Sequence, residues 1–169
     1  AQVERLDGLL ARRAAGEPLP YLLGHWEFYG LDFMVTPAVL IPRPETELLV
    51  EEALRWLRAH PTRRNAADVG TGSGCIAVAV AYREPGTHFL AVDHSRAALR
   101  VAHQNVERHA VGGRVRLAQM DLLSAAAGPL DLICANLPYI PTAALGDLDV
   151  SRWEPRGALD GGANGLDLI

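Results

Sequence analysis

The sequence contains no lysine: all sixteen basic residues are arginine. That bias fits GC-rich coding and carries no mechanism. A dense basic run is also missing, and the formal net charge is −4. Proteins that depend on phosphate contacts concentrate basic side chains on one face, so no nucleic-acid partner is expected. Cysteine is scarce. Cys75 and Cys134 sit in apolar surroundings, without metal-ligand spacing or a disulfide framework, and a reduced, cytoplasmic protein is expected. The six histidines are scattered, which argues against a metal centre. No apolar run approaches the ~20 residues of a membrane span, and no signal peptide is visible. Repeats and low-complexity tracts are absent. What remains, 169 residues of which 49% are hydrophobic, suits one full-sized core. Trp26, Trp56 and Trp153 read as packing residues. Composition leaves the oligomeric state unknown.

Residues 1–15 have helical spacing, with Val3, Leu6, Leu9 and Leu10 on one face. "GEPLPYLLG" interrupts it. Residues 26–40 carry two short aromatic and β-branched runs around Gly30-Leu31, which predicts a hairpin. "IPRPETE" follows. Pro44 suits the first turn of a helix, and Glu45 and Glu47 complement its positive end. That helix is expected to reach about His60, burying Leu49, Val50, Ala53, Leu54 and Leu57, with Pro61 as its stop. From Ala66 strands and helices alternate. Strands are predicted at 66–70, 88–93, 114–119 and 130–136, and helices at 74–83 and 95–109 with Ser95 as N-cap. Such alternation implies a parallel α/β sheet with right-handed crossovers. The last residues, to Ile169, read as the start of another helix.

"DVGTGSGCIAVAVA" runs from Asp68 to Ala81. A short strand enters Gly70-Thr71-Gly72-Ser73-Gly74, and a helix of small residues follows. Glycines let the chain turn tightly and let a ligand approach the backbone, and the helix start offers free N–H groups. In an open α/β sheet this crevice binds ligands. The next strand ends in Asp93, whose carboxylate can accept from both ribose hydroxyls of an adenosine. A dinucleotide or S-adenosylmethionine fits that geometry. The spacing G-x-G-x-G, with Cys75 where the third dinucleotide glycine belongs, favours the methyl donor. Its cationic methionine end suits the acidic Asp68. Asp121, after the third strand, is placed to accept from an adenine amino group, or is a solvated loop acid.

The fourth strand ends in Asn136-Leu137-Pro138-Tyr139 and is expected beside the glycine-loop strand, so that both open into one crevice. The Asn136 side-chain oxygen and the Leu137 carbonyl can hold both hydrogens of an –NH2 group. Pro138 locks φ in the turn, and Tyr139 can stack on a flat amide or base. An amide nitrogen is a poor nucleophile. Two acceptors on its hydrogens favour the positive charge that develops on methylation.

With these motifs in place the chain resembles the HemK/PrmC family of peptide chain release factor glutamine methyltransferases. The specific stretches are "IPRPETE" and "ALDGG", within "PLPYLLGHWEFYGLDFMVTPAVLIPRPETELLVE" (18–51) and "EPRGALDGGANGLDLI" (154–169). The resemblance implies a Rossmann-like class I S-adenosylmethionine-dependent sheet, of which about four of seven strands are present. It divides the chain into a C-terminal remnant of a helical substrate-recognition domain (1–25), a hairpin linker (26–42) and a methyltransferase domain truncated at its C-terminus (43–169). It implies that the donor leaves as S-adenosylhomocysteine and that the protein partner is a class 1 release factor, methylated on the glutamine of its Gly-Gly-Gln motif. The donor site would comprise Asp68, Gly70, Thr71, Gly72, Ser73, Gly74, Asp93, Asp121, Leu122 and Asn136, with Arg43, Pro44, Glu45 and Thr46 close by. The amide grip would be Asn136, Leu137, Pro138 and Tyr139. The second motif position is usually Pro and here is Leu137. N-L-P-Y also occurs in adenine amino-group methyltransferases, so RNA or DNA is the alternative substrate. A ribosomal-protein glutamine is another.

Overall fold

The computed structural model describes residues 2–169. Helices α1 (Gln2–Ala14) and α2 (Leu19–Leu23) lead into a hairpin of β1 (His25–Phe28) and β2 (Leu31–Met34). A 3₁₀ turn at Pro44–Thr46 feeds α3 (Glu47–Ala59). The remainder alternates: β3 (Asn65–Val69), α4 (Cys75–Arg83), β4 (His88–Asp93), α5 (Arg96–Arg108), β5 (Val115–Gln119) and β6 (Leu132–Ala135). Short 3₁₀ turns at Thr142–Asp147, Asp149–Arg152 and Arg156–Ala158 carry the chain on.

The four strands β3 to β6 form one parallel sheet in the order β5-β4-β3-β6. The predicted placement of the fourth strand beside the glycine-loop strand is therefore observed, and Val69 lies opposite both Val92 and Ala135. Helix α4 holds the centre of the core. Its residues Cys75 to Ala81 are all buried, which small side chains permit because neighbouring elements pack close on every side. Val50, Ala53, Leu54 and Leu57 of α3 join that core, as their spacing predicts.

The hairpin belongs to the same core. Tyr29 and Gly30 both have positive φ, 52° and 72°, the left-handed pair that a two-residue turn with matching strand twist requires. The turn aims Phe28, Leu31 and Phe33 into the core that α4 fills. Asn105, fully buried on α5, secures it. The Asn105 side-chain oxygen accepts from Met34 N at 2.7 Å, and its amide donates to Met34 O at 3.0 Å and to Ser73 O at 2.8 Å. One side chain thus joins β2 to the glycine loop.

"GEPLPYLLG" does interrupt the first helix, which ends at Ala14, and it also contains α2, capped by Pro18 at its start and by Gly24 in the left-handed conformation at its end. One expectation fails. The C-terminal stretch forms turns and no helix, because Gly162 and Gly165 both take positive φ. The apolar face of α1 is present but buries nothing. Strand β6 is a sheet edge, with Ile133 exposed. Among the described residues, no helix is long and apolar enough to cross a membrane, and no cluster could hold a metal ion.

Candidate active site

Parallel strands end together, and here their ends enclose a cavity of about 300 Å³. Thr71 N donates to Val92 O at 2.9 Å and Met120 N to Asp93 O at 3.2 Å, tying each exit loop to the neighbouring strand. Of the residues picked out from the sequence, Gly70, Thr71, Gly72, Ser73, Asp93, Asp121, Leu122, Thr46, Asn136, Leu137 and Pro138 line this space.

The glycine loop is shaped for close approach. Gly70, Gly72 and Gly74 have φ of 70°, 55° and 81°, a region that favours glycine. A side chain at Gly72 would meet only the Gly70 carbonyl, at 3.9 Å, so the loop backbone is open on that side. Gly74 lies outside the cavity lining; a Cβ there would press on Ala102 of α5 at 3.3 Å. Asp93 is buried and braces the loop. One carboxylate oxygen accepts from Gly72 N at 2.9 Å and the other from Ser95 N at 2.8 Å. An ionised carboxylate has about four acceptor positions, which leaves two for a diol. Val69, Met120, Leu122 and Leu137 add apolar wall. Asp93 could accept from a diol, and the apolar side chains could take a flat ring, the two parts that an adenosyl group offers. Leu122 itself has φ 46°, a left-handed conformation rare for a bulky residue. It follows Asp121, whose carbonyl accepts from Ser124 N at 3.0 Å.

Asp68 lies beneath the loop, fully buried and not in the cavity lining. One oxygen accepts from the Thr71 hydroxyl at 2.6 Å and from Ala77 N at 3.2 Å, holding the loop from below. The other oxygen has no hydrogen-bond partner. Burial raises its pKa to about 6, against the pull of Thr71 and Ala77. Burial likewise pushes the Cys75 and Cys134 thiols up to about 12, so both stay protonated.

At the other end of the cavity, Asn136 leaves β6. Its amide nitrogen donates to the Thr46 hydroxyl at 3.1 Å. Its oxygen accepts nothing among the described residues, nor does the Leu137 carbonyl. Asn136 and Leu137 both line the cavity, and both oxygens are without a donor among the described residues. Pro44, Glu45 and Tyr139 are outside the lining, while Arg43, with Pro42 before it, is part of it. Tyr139, expected over a flat acceptor, is 66% exposed.

Residues 154–165 form a strap behind this end. The buried Glu154 accepts from Ile41 N at 3.0 Å and pairs with Arg43. Pro155, Gly157 and Ala158 line the cavity. Ile140 N then donates to Leu159 O at 3.0 Å, and Gly161 N to Ile140 O at 2.8 Å. A Cβ at Gly161 would lie 2.8 Å from Pro138 O, and one at Gly165 would strike Tyr139 O. The strap therefore lies backbone to backbone against the N-L-P-Y turn, and only glycine permits it. Three segments (41–46, 136–142 and 154–165) close into a ring through Arg43–Glu154, Gly161–Ile140 and Asn136–Thr46. Reading the sequence marked "ALDGG" without a role and missed Glu154. The available signals were paired glycines beside an acid, and a glutamate ahead of proline.

Comparison with known proteins agrees with this geometry. Residues 44–147 match the family of the methyltransferase small domain. The chain is 53% identical over 164 residues to a release factor glutamine methyltransferase of Geobacter sulfurreducens, covering 95% of this chain and 56% of that protein. It is 53% identical over 159 residues to one of Moorella thermoacetica, covering 92% and 56%. The chain thus spans little more than half the length of these relatives. Among solved structures, the N-terminal domain of human METTL16 in complex with SAH aligns with a TM-score of 0.54 at 23% identity, covering 66% of this chain and 48% of that one. That likeness is one of fold, and it bears out the class I methyltransferase sheet.

Proposed function

The chain belongs to the methyltransferase small domain family, and we propose that the whole protein methylates the side-chain amide of the glutamine in the Gly-Gly-Gln motif of a class 1 release factor. The observation that carries the proposal is that Asn136 and Leu137, whose side-chain and backbone oxygens respectively have no donor among the described residues, line the same cavity as the glycine loop and Asp93. S-adenosylmethionine would supply an electrophilic methyl group on sulfur. Asp93 binds the ribose hydroxyls of the donor, the open backbone from Gly70 to Ser73 receives its methionine end, and Asp121 and Leu122 border its adenine. Asn136 and Leu137 hold the two N–H groups of the acceptor amide. That grip orients the nitrogen and stabilises positive charge on it as it reacts. Pro138 locks φ in the turn that follows the two residues. Tyr139, being exposed, is positioned to meet the protein substrate at the mouth.

The similarity to release factor enzymes at 53% identity favours glutamine over a nucleobase, as does a chain with net charge −4. Release factors act in the cytoplasm, which is where the reading places this protein. In this reading residues 43–169 form the methyltransferase domain, residues 26–42 the hairpin linker and residues 1–25 the remnant of the substrate-recognition domain. The test is incubation of the full-length protein with methyl-labelled donor, release factor and ribosomal RNA. Label on the Gly-Gly-Gln glutamine is expected; label on RNA with none on that glutamine would overturn the proposal.

A further inference from the structure

Leu137 has a carbonyl and a side chain, and the two need not serve the same partner. The residue is half-buried and lines the cavity. It packs with Met120 against the apolar cluster of Ala67, Val69 and Val92. It also reaches the glycine loop. A Cβ built on Gly70 would lie 3.1 Å from Leu137 Cδ2, and no other described atom from outside residues 69–71 comes within 4 Å of that point. The isobutyl group therefore lies on the bare Cα of Gly70, where β3 opens into the loop. A proline ring, the usual group at this motif position, folds back onto its own nitrogen and reaches less far.

The surroundings of Leu137 decide what its side chain would meet. On one side Asp93, the acid for the ribose diol, accepts from Gly72 N at 2.9 Å, two residues along the loop from Gly70. On the other stands Asn136, the residue before Leu137 and part of the same lining. In the proposed reaction the ribose lies beside Asp93 and the sulfonium beside Asn136. The part of the donor that passes Gly70 is then the sulfur and the carbon chain beyond it. Those carbons are apolar, and a branched apolar side chain against them gains by keeping water away. We propose that Leu137 is a donor-binding residue, whose side chain forms the wall on which the sulfur and methionine carbons of S-adenosylmethionine pack. The inference rests on the donor reading above. It goes further by giving a residue of the acceptor turn a share in holding the donor.

Leu137→Ala removes the wall and keeps the backbone. Two ligands separate the parts of the donor, because adenosine has the base and ribose of S-adenosylhomocysteine but neither its sulfur nor its methionine carbons. In calorimetric titration of the full-length protein, Leu137→Ala is expected to weaken S-adenosylhomocysteine about tenfold and to leave the Kd for adenosine within about twofold of wild type. Leu137→Met, unbranched and of similar volume, keeps most of the S-adenosylhomocysteine affinity. An equal loss for both ligands in Leu137→Ala would overturn the inference, because it would mark a disturbed fold or a contact with the adenosyl group. So would an unchanged Kd for S-adenosylhomocysteine. Wild type that binds neither ligand would refute the donor reading and the inference with it. Wild type that binds both but leaves release factor unmethylated would refute the acceptor reading alone, and the comparison of the two ligands would still decide the role of Leu137.

Discussion

Asp68 gives the sharpest energetic prediction. Its carboxylate lies wholly inside the protein under the glycine loop, with one oxygen bonded to Thr71 and Ala77 and the other unpaired. Burial raises the pKa from 3.8 to about 6, Thr71 and Ala77 oppose that, and the nearby Asp93 adds to it. The folded state therefore keeps this proton over a pH range in which the unfolded chain has released it. Stability from the group is complete below about pH 4 and is lost as pH rises through 6. At about 1.4 kcal/mol per pH unit, the loss is about 3 kcal/mol. Asparagine at this position keeps the shape and does not titrate. Urea unfolding of wild type and Asp68→Asn at pH 4, 5, 6 and 7 should show the variant gaining on wild type by about 3 kcal/mol across the series. Subtracting the two curves cancels Asp131 and Asp160, whose pKa values are lowered by their hydrogen-bond donors and whose contribution runs the opposite way. A difference independent of pH, or one that grows toward acid, would refute the reasoning.

Asn105→Leu leaves Met34 N and two carbonyls without partners in a buried site, and should cost about 3 kcal/mol or more in urea unfolding. It should also weaken S-adenosylhomocysteine binding, because Ser73 loses its anchor. Gly165→Ala places a methyl against Tyr139 O at a position with φ 75°. Methyl transfer should fall well before donor affinity does, as measured by kcat beside a calorimetric Kd. Cys75 and Cys134 should resist a thiol reagent at pH 8 until urea unfolds the chain; rapid labelling of either in the native state would contradict their burial.

Much of the donor half was legible. Glycine and proline breaks separate short β-branched runs, and these fix β3, β4, β5 and β6 to within a few residues of their observed ends. The loop from Gly70 to Gly74 follows because few other sequences turn so tightly. The hairpin was readable from Phe28 and Phe33 around Gly30, although not its burial against α4, which depends on contacts distant in sequence. The acceptor side was half legible. Asn136 and Leu137 stand where the strand end predicts. The strap escaped because it has no period to read. Its contacts are backbone to backbone, and the residues that permit them, Gly161 and Gly165, act through a missing side chain. Asp68 was misplaced for a related reason. A carboxylate beside a ligand loop suggests contact, and only the packing of α4 reveals that the carboxylate points beneath the loop.

The central claim is that one cavity joins a donor half, built on Asp93 and the glycine loop, to an acceptor half built on Asn136. Asn136→Ala in the full-length protein separates them. Calorimetric titration with S-adenosylhomocysteine should give a Kd close to that of wild type, while single-turnover methylation of release factor falls below detection. Retained methylation in that variant would contradict the account.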